Sequence, residues 1–314
     1  MKLTLSPSPH LHSGASTRRI MLDVLIALLP ACVASVVLFS ARALLVLLVS
    51  IVFAIATEHI FCLVTKRETT VSDLSAMVTG VILALILPHT VPLWQVAIGA
   101  VVAIAFVKML FGGIGANFAN PACTARVILL VSFSSSVAAS TATRFMTLVD
   151  GIAGATPLPS LNAGNTEALP SLLDCFLGNY GGAMGETSCV ALLIGFLYLL
   201  FRRVVTVDTP VAFIGSTFLL TLALTGDATL ALYSILTGGL LFGAFFMATD
   251  YTTTPVSTVG RILFGVGAGV ITTVIRLYAA LPEGVSYAIL IMNILTPLID
   301  RFVRPRAFGG AYEK

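Results

Sequence analysis

Long apolar runs dominate the chain, and short polar clusters punctuate them. Ten runs approach the length that crosses a bilayer: 20–39, 43–64, 73–87, 93–111, 121–138, 187–201, 208–225, 228–248, 259–279 and 285–303. Turn signals separate them at Pro88-His89-Thr90-Val91-Pro92, Gly226-Asp227 and Pro282-Glu283-Gly284. Runs 73–87 and 187–201 fall short of the ~20 residues that a spanning helix needs, and read as tilted helices or half-helices. The pattern predicts an all-α polytopic membrane protein of about ten transmembrane helices. A polar interval at 139–186 splits them into two five-helix halves, 20–138 and 187–303, with tails at 1–19 and 304–314.

The halves are weakly alike. Asn120-Pro121-Ala122-Cys123-Thr124-Ala125-Arg126 opens the fifth run, and Thr254-Pro255-Val256-Ser257-Thr258-Val259-Gly260-Arg261 opens the ninth. A stretch rich in Gly or Thr precedes each, and paired interrupted segments are a signal of repeat-built membrane folds with a central site.

Composition strengthens the membrane reading. The chain is 58% hydrophobic and 10% charged, with a mean hydropathy of +1.04, whereas a soluble domain is about a quarter charged. The first twenty residues are polar and include Pro7, Pro9, Arg18 and Arg19, so no cleavable leader is expected. No basic stripe with interleaved aromatics points to nucleic acid. The five cysteines form no C-x-x-C pair and read mostly as small apolar residues, with a Cys175–Cys189 disulfide left open.

Charge placement sets an expected orientation. With the N-terminus inside, fourteen Lys and Arg residues fall inside and only Arg42, Arg144 and Arg276 outside. Both tails are then cytoplasmic and the 139–186 loop is extracytoplasmic.

Several residues carry candidate chemistry. Asp150-Gly151-Ile152-Ala153-Gly154-Ala155-Thr156 presents one hydroxyl, Thr156, on a sterically open backbone. A threonine hydroxyl is not an activated nucleophile and no His lies in the segment, so any group transfer to it needs an enzyme acting in trans. Asn117 and Asn120 sit among glycines and could hydrogen-bond a ring ligand; Asn120 before Pro121 reads first as a helix N-cap. Glu58 and Asp250 are the acids placed deepest or at a break, hence candidates for an ion path, although pairing with Arg is the plainer reading. His10 and His12 read as a solvated or interface segment, with no metal role assigned, and no catalytic residue is assigned.

The loop segment resembles the D-G-x-[S/T/A]-G-A-T site of the RnfD/NqrB family, at which a flavin transferase links FMN to Thr through a phosphoester. Ala153 stands where that motif usually has Ser or Thr. Ser8-Pro9-His10-Leu11-His12-Ser13-Gly14, Ser75–Leu85, Gly112–Ala122 and Met247-Ala248-Thr249-Asp250 with Thr254-Pro255 resemble further family segments, and the short N-terminal region is more similar to RnfD than to NqrB. The resemblance implies a urea-transporter-like fold and covalent FMN on Thr156, with Asp150, Gly151, Gly154 and Ala155 shaping the site. A non-covalent riboflavin near Asn117 and Asn120 is implied by likeness to NqrB. It further implies electron transfer within an Rnf complex that couples ferredoxin and NAD chemistry to Na⁺ or H⁺ movement. The implied partners are RnfA, RnfB, RnfC, RnfE and RnfG, the flavin transferase, and lipid of a bacterial or archaeal cytoplasmic membrane. Two other readings stay open: an NqrB-like subunit with quinone as acceptor, and a transporter or channel without flavin.

Overall fold

The computed structural model describes residues 16–138, 141, 143, 170–279 and 284–303. The first half holds α1 (Thr17–Phe39), α2 (Ala41–Thr65), α3 (Ser75–Leu85), α4 (Leu93–Val101), α5 (Pro121–Ser132) and α6 (Ser134–Val137). A π-helix at Val102–Met109 continues α4. After the loop come α7 (Leu172–Leu177), α8 (Cys189–Phe201), α9 (Asp208–Thr225), α10 (Ala228–Leu236) and α11 (Leu240–Phe242), the last continued by a π-helix at Gly243–Met247. α12 (Thr258–Tyr278) and α13 (Val285–Phe302) complete the order. Among the described residues every regular element is helical, and each of the ten apolar runs contains helix.

Length separates the runs. Among the described residues α1, α2, α9, α12 and α13 are long and apolar enough to cross a membrane, and α10 with α11 and its π-helix forms an apolar pair bent by 60°, a broken span or a re-entrant loop. α3, α4 with its π-helix, α5 and α8 are shorter apolar helices. The short run at 73–87 is therefore a half-helix of 11 residues, α3. Its end is satisfied from outside the helix. Gly185 N donates to Leu85 O at 2.6 Å and Met184 N to Leu87 O at 3.3 Å, while Ser35 Oγ of α1 holds Met184 O at 2.7 Å. The segment around Met184 thus enters the bundle and pairs with backbone that α3 leaves open, as irregular backbone in an apolar environment must.

The outer face of the bundle is apolar, unlike that of a water-soluble one, around a core that is itself mostly apolar. Leu29, Val33, Val37, Leu48 and Val52 of α1 and α2 are exposed, while Asp23, Ser35, Ser50 and Glu58 of the same helices are buried. Apolar side chains suit a lipid-facing surface, and polar ones turn inward where partners exist. Helices approach closely through small residues. A Cβ at Gly265 of α12 would lie 2.7 Å from Thr209 O of α9, and one at Gly269 would lie 2.9 Å from Phe213 O. This Gly-x-x-x-Gly spacing lets two backbones touch where lipid-like surroundings give no hydrophobic drive.

Candidate functional site

Two polar breaks meet inside the bundle, one from each half. Each follows a π-helix, Val102–Met109 or Gly243–Met247, a local widening that recurs at functional positions. After the first, Gly112, Gly113 and Gly115 take positive φ values of 123°, 98° and 88°, which glycine adopts without steric penalty. Asn120 then caps α5, accepting from Ala122 N at 3.1 Å and Cys123 N at 3.2 Å, with Pro121 at the first helical position. After the second, Ser257 caps α12 and accepts from Gly260 N at 3.0 Å. The faint sequence likeness of the halves thus corresponds to the same local order: π-helix, polar break, capped helix.

Side chains join the breaks. Asn117 Nδ2 donates to Thr252 Oγ1 at 3.2 Å, and Asn120 Nδ2 to Met247 O at 3.4 Å. Asn293 of α13, oriented so that both amide ends are satisfied, donates to Thr253 O at 3.1 Å and accepts from Asn120 N at 3.0 Å. Thr296 Oγ1 adds a bond to Thr253 O at 2.9 Å. Asp250 turns back on its own break and accepts from Thr252 Oγ1 at 3.0 Å and Thr253 Oγ1 at 3.3 Å. Burial raises its carboxyl above the ordinary carboxylate range, and the bonds from Thr252 and Thr253 oppose that shift.

A cavity of about 100 Å³ lies against these breaks and is lined by Asn117, Asn120, Lys108, Phe246, Asp250 and Thr252 among others. Its wall holds a buried ion pair. Lys108 Nζ lies 2.7 Å from Glu58 Oε2, with side-chain exposures of 3% and 0%. The ammonium also donates to Ser75 Oγ at 2.5 Å, and Thr70 Oγ1 donates to Glu58 Oε1. Glu58 therefore has a partner within its own chain, and it is a lysine rather than the arginine expected.

The sequence-predicted site divides accordingly. Asp150, Gly151, Gly154, Ala155 and Thr156 lie outside the described residues, as do His10 and His12. The two ends of the loop are tied to each other, Thr141 Oγ1 donating to Gly182 O at 2.9 Å, and to the bundle, Tyr233 OH of α10 donating to Pro170 O at 2.7 Å. Asn117 and Asn120 are brought together. Asn120 is committed to capping and to the opposite break, whereas Asn117 Oδ1 is buried without a hydrogen-bond partner beside the cavity, so Asn117 retains an acceptor for a bound ring. Cys175 and Cys189 are free thiols; Cys189 Sγ donates to Cys175 O at 3.7 Å. Lys108 and Arg126, counted among the fourteen inside charges, and Arg276, counted among the three outside, are buried in the bundle. Removing them leaves twelve against two, so the asymmetry survives.

Sequence reasoning passed over Lys108 and Asn293 as partners, as it did Glu186, whose Oε1 accepts from Ala183 N at 3.0 Å, and Arg276, which donates to Thr237 O at 3.2 Å and Gly238 O at 2.9 Å. The available signal was a polar or charged residue within or beside an apolar run, which is rarely placed there without a partner.

The model of the NQR2, RnfD, RnfE family matches residues 4–309. The chain is 43% identical over 311 residues to the D subunit of the Na(+)-translocating ferredoxin:NAD(+) oxidoreductase complex of Acetobacterium woodii, covering 98% of this chain and 96% of that protein. It is 40% identical over 321 residues to the D subunit of the proton-translocating ferredoxin:NAD(+) oxidoreductase complex of Clostridium ljungdahlii, with the same shares covered. Identity to the D subunit of the ion-translocating oxidoreductase complex of Ectopseudomonas mendocina is 35% over 331 residues, again at 98% and 96%.

Proposed function

The chain belongs to the NQR2, RnfD, RnfE family, and we propose that it is the RnfD component of an ion-translocating ferredoxin:NAD⁺ oxidoreductase complex, carrying covalent FMN on Thr156. The near full-length similarity to RnfD-type proteins of such complexes carries the complex assignment. The Asp150–Thr156 segment, in the one long polar interval of the chain, carries the flavin assignment. FMN supplies one- and two-electron chemistry when bound, and the protein supplies its position and surroundings. Thr156 offers the hydroxyl for the phosphoester, and Gly151 and Gly154 leave the backbone open to the transferase. Asn117 and Asn120, which both line the cavity at the breaks, are the residues placed to hold a second, non-covalent flavin.

The ten apolar runs act as ten membrane segments in two urea-transporter-like halves, with 139–186 as an extracytoplasmic loop whose end, around Met184, packs back into the bundle. Both tails face the cytoplasm of a bacterial or archaeal cell, and the twelve-to-two charge asymmetry supports that orientation. The chain has no dinucleotide fingerprint and no ferredoxin-type cysteine spacing. Donor oxidation therefore belongs to the other Rnf subunits, RnfA, RnfB, RnfC, RnfE and RnfG.

Thr156→Ala tests the flavin assignment. The full chain, co-expressed with a flavin transferase, is expected to show a fluorescent band on a denaturing gel and the mass of one attached FMN. The variant is expected to insert normally and show neither. Covalent flavin that survives the substitution would refute the site.

A further inference from the structure

Between the end of α8 and the start of α9, a cavity of about 240 Å³ opens against the second polar break. Its polar wall is Thr206 and Thr209, Thr249, Tyr251 and Thr254 of the break, and Arg261 in the first turn of α12. It shares Val204, Val205, Thr249 and Tyr251 with the cavity at the breaks, and its remaining lining is its own. Three of these polar groups are engaged by backbone. Thr249 Oγ1 donates to Phe245 O at 2.8 Å, Thr254 Oγ1 to Asp250 O at 2.6 Å, and Tyr251 OH to Val204 O.

The other three keep capacity to spare. Thr209 is 2% exposed, yet its hydroxyl makes no hydrogen bond among the described residues. A hydroxyl withdrawn from water without a partner costs free energy, so its place on a cavity wall points to a ligand. Thr206 Oγ1 accepts from Arg261 Nη1 at 2.8 Å and keeps its own hydrogen to donate. The Arg261 side chain is 25% exposed; it also meets Thr258 Oγ1 at 3.4 Å and Asp208 Oδ2 at 3.6 Å. The contact with Asp208 is too long for a hydrogen bond, and Asp208 does not line the cavity. The other acids nearby turn elsewhere: Asp250 to Thr252 and Thr253, and Asp300 to Val256 N at 3.2 Å. What the cavity offers is therefore hydroxyl and guanidinium donors around one cation, the set that phosphate oxygens accept from.

The surroundings indicate where such a phosphate comes from. Val207 and Val211 at the start of α9, Val256 on the cavity wall, and Val259 and Ile262 of α12 are all exposed, an apolar surface suited to lipid tails. Arg202 and Arg203, exposed at the end of α8, directly precede Val204 of the wall. The cavity thus lies where apolar helix surface meets the polar connections, at the level of lipid headgroups. We propose that it binds the phosphate of an anionic phospholipid, held by Arg261, Thr206 and Thr209, with the tails against α9 and α12. Basic pockets between membrane helices recognise anionic headgroups in this way. The site requires the chain's place in a membrane, and neither its flavin nor its orientation.

The test follows the full chain, delipidated in detergent, by native mass spectrometry, where attached flavin appears as a separate mass and does not enter. Phosphatidylglycerol is expected to bind the wild type saturably, one per chain. Arg261→Gln should weaken that binding about tenfold, as the loss of a hydrogen bond to a charged group would, and Thr209→Val about threefold or more. Without lipid, Thr209→Val should melt at or above the wild-type temperature, because it removes a hydroxyl that the fold leaves unpaired. A lower melting temperature would mean that the hydroxyl serves the fold, and wild-type affinity in either variant would refute the site. Diacylglycerol carries the tails without the phosphate; if the variants weaken its binding equally, the cavity reads hydrocarbon and the proposal falls. If millimolar inorganic phosphate or FMN displaces the lipid, the cavity takes a soluble phosphate and the lipid assignment is overturned. Should Arg261→Gln fail to insert because Asp208 loses its partner, Thr206→Val replaces it: weaker phosphatidylglycerol binding supports the site, and unchanged binding refutes it.

Discussion

Breaking the Glu58–Lys108 pair should be far more damaging than deleting it whole. At 2.7 Å and an effective dielectric of about 20, two unit charges attract by about 6 kcal/mol. Burying them costs several kcal/mol per ion, so the net worth of the intact pair is small. Removing one partner leaves the other buried without compensation. Lys108→Met and Glu58→Gln are each expected to destabilise by about 3–5 kcal/mol. The double variant should recover at least half of the summed loss, because neither charge is then stranded. Glutamine keeps an acceptor for Thr70, and methionine keeps most of the lysine stem's volume, so packing changes little. The chain's single tryptophan, Trp94, packs edge-on against Phe133 with centroids 5.1 Å apart, so its fluorescence follows unfolding. Denaturant titrations in mixed micelles would yield the four free energies of the cycle. If the double variant loses the sum of the single losses to within about 0.5 kcal/mol, the two groups are not coupled and the reasoning fails.

Two further outcomes are expected. His89, in the turn between α3 and α4, has its imidazole held below the usual value of 6.5 by burial and then by the Arg42 guanidinium. The unfolded chain therefore takes up this proton first on acidification; the contribution is complete above about pH 6.5 and is lost below it. His89→Asn should flatten the decline in melting temperature between about pH 7 and pH 5, and an unchanged slope would count against it. Ser160→Cys, in a background without native cysteines, should react with an impermeant maleimide in intact cells; reaction only after the inner face is opened would overturn the proposed orientation.

The order of the apolar runs, the all-helical class and the Asn120–Pro121 cap were legible in the sequence. Each depends on residues close along the chain: apolar content per run, or a side-chain oxygen two or three residues from the N–H groups it accepts. The Asp150–Thr156 segment is likewise a local motif. Which runs are short helices was only half legible, because α3 ends where Gly185 and Met184, about a hundred residues further on, supply its missing bonds. The partners of the buried charges were not legible. Lys108 reaches Glu58 across 50 residues, Arg276 reaches Gly238 across 38, and Asn117 reaches Thr252 across 135. Hydropathy identifies such residues as costly in an apolar interior, but the cost is removed only by groups that folding brings in from other helices. Those pairings, and the joining of two breaks into one site, were decided by the tertiary structure.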